Sequence, residues 1–178
     1  IHIRSANSGA AGASGMLAFS SGTAKTGNSG AVLVGTSPAT AGRGGLVSIS
    51  AGSGTSGVGG LVSMWGGQST VLAGGLVSVS GGVADANTGG AVNLASGEGT
   101  AKSSGTIHIR SANSGAAGAS GLLAFSSGTA VRGNSGSLPI GTGAAADGRG
   151  GLVAVSAGSG TSGAGGLVSM WGGQSTVL

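Results

Sequence analysis

A glycine that returns every fifteen residues constrains this chain more than any other feature. Gly stands at 15, 30, 45, 60, 75, 90 and 105, then at 121, 136, 151 and 166. Every step is fifteen residues except the one from Gly105 to Gly121, which is sixteen. Six steps of fifteen and one of sixteen make a longer period of 106 residues, marked by the string IHIRSANSGAAGASG at Ile1 and again at Ile107. Residues 1–72 and 107–178 agree at 58 positions and differ at 14, many of the differences being mild, such as Met16/Leu122 and Ile49/Val155. Self-similarity of this kind is the mark of stacked small units rather than of one globular core.

With each repeat glycine as position 0, two columns are apolar throughout. Position 2 holds Leu17, Val32, Val47, Val62, Val77, Val92, Ile107, Leu123, Leu138, Val153 and Val168. Position 4 holds Phe19, Val34, Ile49, Met64, Val79, Leu94, Ile109, Phe125, Ile140, Val155 and Met170. Position 3, between them, is mostly small or polar, as at Ala18, Ser48, Ser63, Ser78, Asn93 and His108. Apolar residues two apart are the pattern of a strand with one buried face. Position 7 is usually Gly and position 9 is always small, which reads as a glycine corner and a tiny inward residue facing the large ones.

These columns predict an all-β fold, a single parallel β-solenoid of about twelve 15-residue coils with a seven-coil, 106-residue super-repeat. The solenoid would run through 1–178 as one continuous segment, with 1–106 the first long repeat and 107–178 a partial second copy. At roughly 4.8 Å per coil, a rod of about 57 Å is expected. Ile1 falls at position 2 and Leu178 at position 12, so neither end reads as a cap. The expectation is an excerpt of a longer chain, or a rod that stacks end to end with its copies. A bundle of polyproline-II helices is the competing architecture, but it wants Gly at every third residue.

Composition narrows the function. Of 178 residues 44 are Gly, and only 6% are charged, against about a quarter charged and about 7% Gly in ordinary domains. The net charge of +4 and pI near 11.4 arise from having few titratable groups. Basic residues tens of positions apart form no patch, and two Phe with two Trp supply no stacking platform, so nucleic acid is not an expected partner. There is no Cys, hence no disulfide framework and no thiolate metal site. No apolar run approaches the roughly 20 residues of a membrane-spanning helix.

Motifs that carry chemistry are sparse. GSGTSG at Gly52–Gly57 and Gly158–Gly163 matches GxGxxG, but GLVSM follows where a dinucleotide fingerprint needs a helix. His2 and His108 occupy one repeat position 106 residues apart, and Asp85 and Asp147 are the only Asp residues. No Ser–His–Asp or carboxylate cluster is legible, so neither catalysis nor a cofactor is expected. Position 10 carries Thr40, Thr55, Thr70, Thr100, Thr161 and Thr176, interrupted by Lys25, Asp85, Val131 and Ala146. That column reads as small residues facing water, as O-glycosylation sites, or as an ice- or mineral-binding face. No Asn-x-Ser/Thr sequon exists. Leu46, Leu61 and Leu76 at position 1, with Trp65 and Trp171 at position 5, form either a lateral contact stripe or a corner of the core.

The pattern GLVSxSxGSGTSGxGG resembles the Gly/Ser-rich tandem-repeat β-solenoid surface or secreted proteins of algae and related protists, along the whole chain. The resemblance implies an extracellular or cell-surface structural role and brings no catalytic residues with it. The expected function is a rod or extracellular filament whose partner is the chain itself, with glycans attached. The alternative is a binding module that presents a Thr/Ser-rich flat face to ice, polysaccharide or mineral.

Overall fold

A computed structural model describes residues 1–175. Among these there is no α-helix and no β-strand, which overturns the all-β solenoid and the strands it requires. The chain divides into two units, Ile1–Val92 and Asn93–Leu178. Their boundary falls inside a repeat rather than at the 106-residue junction.

The fifteen-residue period nevertheless governs the conformation. In the first unit the chain bends at 10–12, 25–27, 40–42, 55–57, 70–72 and 85–87. In the second it bends at 100–102, 116–118, 131–133, 146–148 and 161–163. Nine of these eleven bends occupy positions 10–12. Between bends the chain runs without regular structure, and positions 1–5 of each such run carry the two apolar columns.

A local hydrogen bond in five of the repeats contrasts with the pairing a solenoid needs. The N–H of Gly60 donates to the C=O of Gly52 at 2.9 Å, and Gly75, Gly90, Gly105 and Gly166 donate likewise to Gly67, Gly82, Gly97 and Gly158 at 2.8–2.9 Å. Each bond joins position 7 to the next position 0 and closes a loop within one repeat. A solenoid instead needs ladders in which consecutive coils exchange N–H and C=O groups along the strand. In these five repeats the glycine-rich half folds back on itself. The other half, positions 1–6, makes no backbone hydrogen bond to the rest of the chain among the described residues.

The single sixteen-residue step is absorbed between position 6 and the bend. A Cβ built on Gly121 would meet Ser111 Cβ at 3.3 Å, as one on Gly136 would meet Ser127 Cβ at 3.4 Å. Two residues separate the bend from the next glycine in both cases. The extra residue therefore lies between Ser111 and the bend at 116–118, and the apolar columns keep their frame.

The inward columns are corrected as well. No described residue is buried. Position 2 is the least exposed apolar column, at 45–58% across its eleven members, and position 4 is more open, from 51% at Ile109 to 88% at Met170. The exposed area, 17,713 Å², compares with roughly 7,400 Å² for a compact chain of this mass. Large apolar side chains at about three per fifteen residues, in a glycine-rich backbone that loses much entropy on ordering, do not close a core within one chain.

Where position 9 is glycine, at Gly54, Gly99 and Gly160, it is small for a different reason from the one expected. A Cβ on Gly54 would lie 2.5 Å from the Gly57 carbonyl oxygen, and Gly160 meets Gly163 in the same way. The bend returns its own carbonyls against position 9. No opposing wall of a coil is involved.

Candidate functional site: the loop tips and the open runs

The described position-10 threonines lie at bends and not on a strand. Thr40, Thr55, Thr70, Thr100 and Thr161 each open a bend and are exposed there. Thr176 lies outside the described residues. At one tip the geometry is fully specified. Ser69 Oγ accepts the N–H of Leu72 at 2.9 Å and that of Val71 at 3.4 Å, a serine turn that shapes the bend beginning at Thr70.

The tips also gather the charge. Lys25 and Asp85 stand at position 10, Arg132 and Asp147 at 11, Lys102 at 12, and Arg43 and Arg149 at 13. Seven of the ten charged residues are thus at or next to a bend, while Arg4 and Arg110 are the only ones at positions 1–5. This segregation was readable by sorting charges by repeat position. Taken as scattered along the chain, the same charges conceal it.

The lateral residues lie in solvent. Leu46, Leu61 and Leu76 are 82–87% exposed, and Trp65 and Trp171 are 86% and 89% exposed. Position 1 is therefore not a core corner in this chain. At position 6, Thr36 Oγ1 donates to the Gly45 C=O at 3.1 Å, and Thr142 Oγ1 to the Gly151 C=O at 3.2 Å. These equivalent threonines tie the end of the run to the next repeat glycine.

Chemistry-bearing residues do not converge. His2 and His108 lie in different units, and among the described residues no three His, Asp or Glu side chains group as a metal site would require. The described residues enclose no pocket. GSGTSG forms the closed loop beginning at Gly52, with its bend at 55–57 and no helix after it. No helix is long and apolar enough to cross a membrane among these residues. Comparison with protein-family models, curated proteins and solved structures finds no match to this chain.

Proposed function

We propose that this chain is a structural building block, assembling with copies of itself into an extracellular filament, and that it is not an enzyme. The observation that carries the reading is the pair of apolar residues at positions 2 and 4, repeated along the whole chain yet left in solvent in each unit. Exposed apolar side chains recurring on this scale are characteristic of interaction surfaces. The hydroxyl-rich, charge-poor composition suits a repetitive extracellular material, as does the likeness to Gly/Ser-rich repeat proteins. Sedimentation velocity across a concentration series, with electron microscopy of the same samples, tests the reading. Elongated particles that grow with concentration are expected. A chain that stays monomeric up to its solubility limit would remove the structural role.

A further inference from the structure

Resting on that reading, we propose that copies of the chain join through the run at positions 1–5 of each repeat, backbone to backbone, while the tips at positions 10–13 stay in water. The first support is the distribution of hydrogen bonds. The recurring closing bond occupies position 7 and position 0. The intervening run leaves its N–H and C=O groups open, and an unpaired row of such groups is a template for another chain.

The second support is the separation of apolar and charged residues. The runs hold both apolar columns and, among charged residues, only Arg4 and Arg110, whereas the tips hold seven charges of mixed sign. A polyanion would be drawn to the tips. A second copy meets uncharged apolar runs, and it is a partner whose fifteen-residue spacing matches at every repeat. The net charge of +4 over 178 residues opposes such contact weakly.

Area then sets the number of neighbours. The chain exposes on the order of 10,000 Å² more than a compact chain of its mass. Obligate dimer interfaces bury about 2,000–5,000 Å² in total, half of it from each partner. One neighbour leaves most of the excess uncovered, so each chain takes two or more, and the assembly is open-ended rather than a closed pair.

The protein carries its own control. Pro139 occupies position 3 and has no N–H to offer, where the first copy has Leu33. The side-chain tie from position 6 is indifferent to that change, since the Thr142–Gly151 bond at 3.2 Å matches the Thr36–Gly45 bond at 3.1 Å. Proline at position 3 therefore removes a donor from the run and leaves the tie from position 6 to the next repeat glycine in place.

Three triple variants of the full chain test the assignment. Ser48→Pro, Ser63→Pro and Ser78→Pro together remove run donors. Val47→Asp, Val62→Asp and Val77→Asp together charge the runs. Thr40→Asp, Thr55→Asp and Thr70→Asp together charge the tips. The concentration at which assembly begins is expected to rise at least about tenfold for either run variant and to stay within about twofold for the tip variant. Amide exchange of the unmodified chain should slow on assembly at 46–50, 61–65 and 76–80 and not at the bends. Assembly lost as readily by the tip variant, or protection confined to the bends, overturns the run assignment and leaves the structural reading standing. An unmodified chain that never assembles overturns both.

Discussion

At the residue scale, the bends come in two forms, distinguished by one dihedral angle. Gly27 and Gly133 end their bends at φ of +97° and +95°, a region that costs L-residues about 1–2 kcal/mol. The same position is Leu72 or Lys102 in other repeats, and no non-Gly residue has positive φ among the described residues. Gly133→Ala is therefore expected to convert its bend to the form with negative φ. The amide–Hα coupling at residue 133, measured by NMR, checks this, and assembly should be unaffected. The threonine tips carry a second expectation at this scale. Material isolated from its source should exceed the polypeptide mass by whole sugar residues O-linked at Thr40, Thr55, Thr70 and Thr100. An intact mass equal to that of the bare chain would dispose of it. Both column types were legible as residue identities, but the place of the threonines was not. Thr at position 10 reads equally well as a strand face or as the start of a bend, because hydroxyl side chains suit both.

At the scale of the repeat, the apolar columns were legible as a sequence pattern and incorrectly enclosed. Period-two alternation identifies which residues belong on one side of an extended run, but it does not say whether the run's partner is the next coil or another molecule. The decisive contact, position 7 to the next position 0, is made by backbone atoms of glycines such as Gly52 and Gly60. No side-chain pattern reports it. Loop and run also differ in their tolerance of length. Deleting Gly115 from the long loop should leave the onset of assembly within about twofold, since the sixteen-residue repeat would become fifteen. Deleting Ser48 brings Val47 and Ile49 together and breaks the alternation. A clear rise in the assembly threshold, measured by light scattering, is expected from that one-residue loss.

For the molecule as a whole, the exposed area decides the energetics. In the proposed assembly, what stabilises the material lies between chains, and it is chiefly apolar burial with backbone pairing. Apolar association weakens on cooling because its heat-capacity signature makes the driving force fade at low temperature. Assemblies formed at about 25 °C should therefore lose mass when held near 5 °C and regain it on warming, as followed by turbidity. Added salt should alter them little, since the runs are nearly free of charge and surface charges are screened over about 10 Å at 0.1 M salt. A strong loss of assembly in salt would instead point to the charged tips as the contact.

Loop closure has a genetic corollary. Each closing bond spans eight residues and depends on nothing outside its own repeat, so the loops on either side of an added or deleted unit have no contact to rebuild. Unequal recombination within such a coding region would yield longer or shorter chains with the same local geometry. Copy number is then a variable that selection can adjust for reach without disturbing shape. Near-identical blocks such as 1–72 and 107–178, with differences concentrated between residues 25 and 49, are what recent duplication of so tolerant a unit leaves behind.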